Sequence, residues 1–285
     1  MKNVSKILVV SLITNFMLSL SKVIVGFIGS SGALIADGVH SFSDLITDII
    51  GIVGSIFAHK PSDEKHPYGH GKMEYLISIF ISLVILSLGL TIIYNSLNRN
   101  IVVPSVLVIF VSMFTIIVKL ILARYLVKKG TELNSNILVS SGKESSTDVI
   151  SSIVVLISSI LMQTNIGIFK YSDIIAGILV GIFIVKVGFD VLKENISTIL
   201  GEQVTNLDYL SEVRKIILEN NHVKHIDDLI ILKYGPYYKL ISKVSITSSL
   251  SITDAYNIIV KIEEKIKDKF ERIDYVNISI EPDNK

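Results

Sequence analysis

Residues 33–58 read "ALIADGVHSFSDLITDIIGIVGSIFA", a run with the length and apolar content of a membrane-spanning helix that also carries Asp37, His40, Asp44 and Asp48. On insertion scales each Asp near a bilayer centre costs roughly 2.5–3.5 kcal/mol, while each Leu, Ile, Val or Phe returns about 0.3–0.6. The three Asp therefore cost roughly 8–10 kcal/mol, against about 4–7 recovered by the dozen large apolar side chains around them. A span kept against that difference has a use for its polar groups. Intramembrane carboxylates are tolerated when they pair with a cation or line an aqueous path.

The surrounding chain fits a membrane setting. Of its 285 residues half are apolar, and the mean hydropathy is +0.60, which is too apolar for an ordinary soluble domain. A net charge of +1 gives no overall bias toward nucleic acid. Cys is absent, which excludes disulfides, thiolate catalysis and thiolate metal ligands. Any bound metal is left with His, carboxylate, carbonyl or water, a donor set suited to zinc, manganese, iron(II) or cobalt.

Six stretches are long enough to cross a bilayer: approximately 7–29, 32–58, 75–96, 102–127, 137–163 and 173–192. The apolar run after Lys6 is longer than a signal core and has no A-x-A-like cleavage site, so it reads as the first span. Lys2, Lys6, Lys60, Lys65, Lys72, Arg124, Lys128, Lys129, Lys143 and Lys193 fall on one side, and essentially Arg99 and Lys170 on the other. That asymmetry predicts cytoplasmic termini. Lys119 and Lys186 sit in apolar runs near span ends, where snorkelling accounts for them.

After about residue 203 the composition becomes that of a soluble module. "NLDYLSEVRKIILENN" places Leu207, Leu210, Val213, Ile216 and Ile217 at amphipathic helix spacing. "DDLIILKYGPYYKLISKVSIT" predicts two strands around a Gly235-Pro236 turn, "ITDAYNIIVKIEEKIKDKF" a helix N-capped by Thr253, and "RIDYVNISIEP" a strand ended by Pro282. The expected fold is an all-α six-helix transmembrane bundle, residues 1–202, followed by an α-β-β-α-β module, residues 203–285.

At 100° per residue Asp37, His40, Asp44 and Asp48 share a helix face about 80° wide. The fifth span carries Glu144 and Asp148, also four apart, on a stripe with Ser141, Ser151 and Ser152. Face to face, His40, Asp44, Glu144 and Asp148 would offer one nitrogen and several oxygens to a single divalent cation. Asp37 and Asp48 then serve the cavity mouths or support the ligands. A second cluster lies in "SDEKHPYGHGKMEY", residues 62–75, where Asp63, His66 and His70 have metal-ligand spacing and Gly69 and Gly71 permit a tight loop.

These residues carry a family resemblance. "ADGVHSFSD", "HPYGHGK" and "KESSTDVISS" resemble the second-helix, loop and fifth-helix motifs of the cation diffusion facilitator family, and the likeness runs over essentially the whole chain. It implies a homodimeric transporter, integral to the cell membrane, that exports divalent metal from the cytoplasm in exchange for protons. It also implies a transport site at His40, Asp44, Glu144 and Asp148, a peripheral loop site at Asp63, His66 and His70, and a ferredoxin-like cytoplasmic dimerisation module. Glu144 departs from the His or Asp common at its position, which shifts weight from zinc toward manganese or iron(II); cobalt and cadmium remain in the set of possible cargoes. The module's zinc positions correspond to Asp227, Lys243, Ser279 and Glu281. A charged Lys has no lone pair to offer, so only a weaker site on His225, Asp227 and Glu281 is expected there. A salt bridge between Lys72 and Glu202 is a further expectation. No enzyme activity or resident cofactor is implied. The competing readings, an intramembrane metal-dependent hydrolase and a proton-coupled transporter of an organic ion, lack an H-E-x-x-H pair or nucleophile elbow and a Pro-broken second span respectively. A non-transporting metal sensor is disfavoured by the loss of the module's His ligands.

Overall fold

A computed structural model describes residues 2–133, 135–164 and 166–283. Six long helices come first: α1 (Lys2–Ile28), α2 (Gly32–Ala58), α3 (Met73–Leu97), α4 (Val106–Glu132), α5 (Asn136–Gln163) and, after a 3-10 turn at Gly167–Tyr171, α6 (Ser172–Ile199). By length and composition α1, α3, α4, α5 and α6 can cross a membrane. Helix α2 is 27 residues long, equal to α1 and α4, and differs in its three Asp. Outward faces carry large exposed apolar side chains such as Phe80, Phe110, Ile121 and Ile150. Water would make such surfaces aggregate, whereas hydrocarbon solvates them.

The chain packs as two compact units, residues 1–50 with 80–191 and residues 51–79 with 192–285. In the first, small residues bring helices close enough for polar groups to meet. A Cβ on Gly38 would lie 2.7 Å from Val23 Cγ2 and 3.1 Å from Lys22 Cβ, so α2 can approach α1 only with hydrogen at that position. A Cβ on Gly142 would lie 2.9 Å from the Ala123 carbonyl oxygen, which sets α5 against α4 in the same way. The start of α2 is held by α6: the Asp173 carboxylate accepts from Ser31 Oγ at 2.5 Å and from the Gly32 amide at 2.7 Å. Ser31 Oγ in turn accepts from the Leu34 amide at 3.1 Å. Together they satisfy the orphan donors of a helix N-terminus with a negative charge where its dipole favours one.

The second unit contains the α+β module in the expected order: α7 (Leu207–Leu218), β1 (Val223–Tyr234), β2 (Tyr237–Ile246), α8 (Ile252–Lys269) and β3 (Ile273–Pro282). The sheet order is β1-β2-β3. β1 and β2 form an antiparallel hairpin, with Tyr234 opposite Tyr237, around Gly235 at φ +65°. β3 returns through α8 to lie parallel to β2, as a crossover helix requires. Val213, Ile217, Ile231, Leu240, Val244 and Ile266 form its buried core. The cap of α8 differs from the sequence expectation. Ser251, not Thr253, is the N-cap; its Oγ accepts from the Asp254 amide at 3.1 Å. Ser251 thus begins an S-x-x-D capping pattern that starts two residues before Thr253. Leu207, expected on the apolar face of α7, is exposed at its first position.

In this unit the loop before α3 and the first turn of α3 pack on the hairpin. The Tyr75 hydroxyl accepts from the Gly235 amide at 2.6 Å. The Lys239 ammonium sits 4.4, 4.2 and 5.2 Å from the ring centroids of Tyr68, Tyr234 and Tyr275 and donates to the Tyr68 carbonyl at 3.2 Å. Burial pushes the Lys239 ammonium below its ordinary pKa, and the three aromatic faces supply part of the lost solvation.

Candidate metal centre

Helix α2 presents its polar face to α1, α4 and α5. His40, Asp44 and Asp148 converge there, each offering a ligand atom within 4.8 Å of the others. Two donors on one cation at about 2.1 Å each stand at most about 4.2 Å apart, so small side-chain shifts complete the set. His40 Nδ1 lies 3.7 Å from Asp44 Oδ1, and the Phe183 ring stands edge-on to the imidazole, with centroids 5.3 Å apart. His40 Nε2 is buried with no hydrogen-bond partner. An imidazole nitrogen that is buried and unspent is costly unless something else uses its lone pair, and a divalent cation would.

Glu144, placed in the same site by the sequence, is exposed and lies outside the converging group. It precedes Asp148 by one turn of α5, on the same stripe. The side chain of Asp48 lies outside the described residues. Asp37 lies outside the converging group. It is wholly buried, pairs with Lys22 Nζ at 2.7 Å and accepts from Ser151 Oγ at 2.6 Å and Ser152 Oγ at 2.8 Å.

Two lysines complete the polar interior. The sequence reading gives Lys22 of α1 no part, and it assigns Lys119 of α4 to snorkelling, which the structure corrects. Their exposures are 0% and 1%. Lys22 Nζ also donates to Ser152 Oγ at 2.9 Å. Lys119 Nζ donates to Asp148 Oδ2 at 2.6 Å, and both ammoniums reach Ser41 Oγ at 3.3 Å. A lysine in an apolar run looks the same in sequence whether it climbs to the interface or turns inward to a carboxylate on another helix. The available signal was composition: three Asp in α2 and Asp148 in α5 need counter-charges, and mid-run lysines are the cations at hand. Lys186, by contrast, is exposed.

The loop cluster also assembles. Asp63 Oδ1 accepts from the His66 amide at 2.7 Å and the Lys65 amide at 3.0 Å, and contacts His66 Nδ1 at 3.0 Å. The His66 amide bond in particular holds the Asp63 carboxyl below the usual carboxylate range. His70 Nδ1 donates to the Pro61 carbonyl at 3.2 Å. In the neutral ring this leaves the lone pair on Nε2, 3.4 Å from Asp63 Oδ2. The three side chains therefore meet with metal-competent atoms turned toward one another.

Among the described residues, the degenerate positions of the soluble module form no cluster of metal-competent atoms. Lys243 Nζ pairs with Glu281 Oε1 at 2.6 Å, while Asp227 accepts from Ser245 Oγ at 2.7 Å. An ammonium occupies the carboxylate that a cation would need, so the expected weaker site on Asp227 and Glu281 is not assembled. The Lys72–Glu202 bridge is likewise absent. Lys72 Nζ points to the Ile199 carbonyl at 3.4 Å, and Glu202 pairs with Lys233 at 2.6 Å. The backbone explains the choice: residues 202–204 run beside β1, with the Val204 amide donating to Ile231 at 2.7 Å, which puts Lys233 within reach.

Comparison with known proteins covers nearly the whole chain. The family model of the cation efflux transmembrane domain matches residues 8–200, and that of the cation efflux protein cytoplasmic domain matches residues 207–283. An uncharacterized transporter of Methanocaldococcus jannaschii is 33% identical over 98% of this chain and 99% of its own length. The manganese efflux system proteins MneP and MneS of Bacillus subtilis are 26% and 24% identical, over 97% and 96% of this chain and 95% and 93% of theirs.

Proposed function

As a member of the cation diffusion facilitator family this chain is a divalent-metal transporter rather than an enzyme, and we propose that its cargo is manganese, exported from the cytoplasm in exchange for protons. The observation that carries this reading is the convergence of His40, Asp44 and Asp148, with His40 Nε2 buried and unspent. One imidazole with carboxylates is a hard donor set, which suits manganese better than copper or zinc. Two full-length relatives named as manganese efflux proteins support the same choice. Glu144, one turn before Asp148, is the fourth ligand in this reading.

Cytoplasmic metal enters between α2 and α5 and displaces protons from the cluster, because ligands must be deprotonated to bind metal. When the bundle opens to the other side, protons return and the cation leaves. In this reading α2 is the sixth span, residues 1–202 form the membrane domain, and residues 203–285 form a cytoplasmic module that pairs two copies. Both termini face the cytoplasm of the cell membrane, as the Lys and Arg distribution favours.

The test is Mn2+ flux into proteoliposomes under an imposed pH gradient. Wild type should move Mn2+ with proton counterflow, and His40→Ala, Asp44→Ala and Asp148→Ala should each lose at least tenfold in rate. Unchanged flux in Asp148→Ala would remove the site. Flux indifferent to the gradient would remove the proton coupling.

A further inference from the structure

We propose that the Lys119 ammonium is a tethered counter-cation of the transport site, seated on Asp148 while the site is empty and displaced from it by the arriving metal. This rests on the reading of His40, Asp44 and Asp148 as the metal site.

The two buried lysines are not equivalent. Lys22 bonds to Asp37, which stands outside the converging trio and is further occupied by two serine hydroxyls. That pair is internal to the scaffold. Lys119 instead places its ammonium 2.6 Å from Asp148 Oδ2, on a carboxylate that belongs to the trio. A metal ion drawing on the same carboxylate would bring a double positive charge beside a single one in a poorly screened interior. Their mutual repulsion favours one occupant at a time.

The geometry also provides a place to withdraw to. Lys119 is a compact point charge on a flexible four-carbon stem, and Ser41 Oγ already accepts from it at 3.3 Å. A short swing toward Ser41 releases Asp148 without stranding the ammonium. Charge bookkeeping points the same way. Asp37, Asp44 and Asp148 face Lys22 and Lys119 across this cluster. With the metal absent, Lys119 prevents two carboxylates from standing together uncompensated. Two consequences follow for transport. Metal affinity is held down by an internal competitor, which assists release, and the metal-free carrier returns with Lys119 seated on Asp148 and protons on the remaining ligands.

The measurement is Mn2+ binding by flow dialysis to the full-length protein in detergent, with His66→Ala and His70→Ala in every sample so that only the helical site is read. Lys119→Met should bind Mn2+ at least tenfold more tightly, and Lys119→Arg, which keeps the charge and grips a carboxylate with two donors, equally or more weakly. Tightening separates this role from a structural one, since damaged packing weakens binding. Lys119→Gln carries the same expectation as Met should the apolar variant not fold. In vesicles, Mn2+/Mn2+ exchange by the Met or Gln variant should persist while net efflux falls at least fivefold, because only net efflux requires the empty carrier to return. Equal or weaker Mn2+ binding in both neutral variants overturns the inference. Adding His40→Ala distinguishes the failures: it should abolish binding in wild-type and Lys119→Met backgrounds alike. If it does not, the site assignment fails, not merely the role of Lys119.

Discussion

Lys22 of α1 and Asp37 of α2 form a 2.7 Å ion pair that is closed to solvent on both sides. Breaking a buried pair by removing one partner typically costs about 3–5 kcal/mol, whereas replacing both with apolar groups is often neutral. Asp37→Ala should therefore lower the melting temperature of the purified protein sharply, and the double variant Lys22→Met/Asp37→Leu should recover most of the loss. Ser151 can tolerate the exchange because its hydroxyl also donates to the Asp148 carbonyl at 2.8 Å. A double variant as unstable as the single one would show that the pair does more than satisfy itself.

Glu144 separates two descriptions of the site. If it joins the metal ligands, Glu144→Ala should raise the Mn2+ concentration for half-maximal flux about tenfold, and Glu144→Asp should restore much of it. If the exposed carboxylate seen here is only a surface group, both variants will transport like wild type.

Gly142 lets α5 lie against α4, and with it Asp148 against Lys119. Val at this position has no room beside the Ala123 carbonyl. Overpacking a tight helix contact costs about 1–3 kcal/mol, so Gly142→Val should fold less stably and lose most Mn2+ flux. Gly142→Ala should fall between. Wild-type flux in Gly142→Val would mean that the helices can part here without harm to the site.

The exposed loop cluster is separable from the helical one. His66→Ala/His70→Ala should remove a weak Mn2+ or Zn2+ binding event from titrations of the protein while leaving vesicle flux within about twofold. A complete loss of flux would give the loop an obligatory part in transport.

Glu202 offers a pH reading. Its carboxyl is held below the ordinary range, chiefly by the hydrogen bond from Lys233, so the folded-state pKa lies below the unfolded one. The pair therefore contributes fully above the unfolded value and loses its contribution as pH falls through the folded one. Because both groups are about one-third exposed, the effect is that of a partly screened pair, below about 1 kcal/mol. The protection of the amides of residues 202–204, taken against their intrinsic exchange rates at each pH, should fall on acidification in wild type and change less in Glu202→Gln. Identical profiles would remove the pair as the cause.

Much of this was present in the residues before any coordinates. The long apolar runs, the Gly235-Pro236 turn and the α-β-β-α-β order follow from periodicity and turn chemistry, which act over a few neighbouring residues. The polar stripe of α2 follows from helical spacing alone. The displaced cap of α8 is a local error of the same kind, since Ser251 and Thr253 are both competent caps and only the backbone path chooses between them.

The sequence by itself determined which groups are expensive enough in an apolar helix to need a use: Asp37, His40, Asp44 and Asp148. Tertiary packing decided how they are used. It set Lys22 on Asp37, Lys119 on Asp148, Lys233 rather than Lys72 on Glu202, and left Glu144 outside. The reason is physical. The cost of burying a charge belongs to the residue, while the partner that offsets it stands on another helix or strand, and only the approach of one backbone to the next selects it.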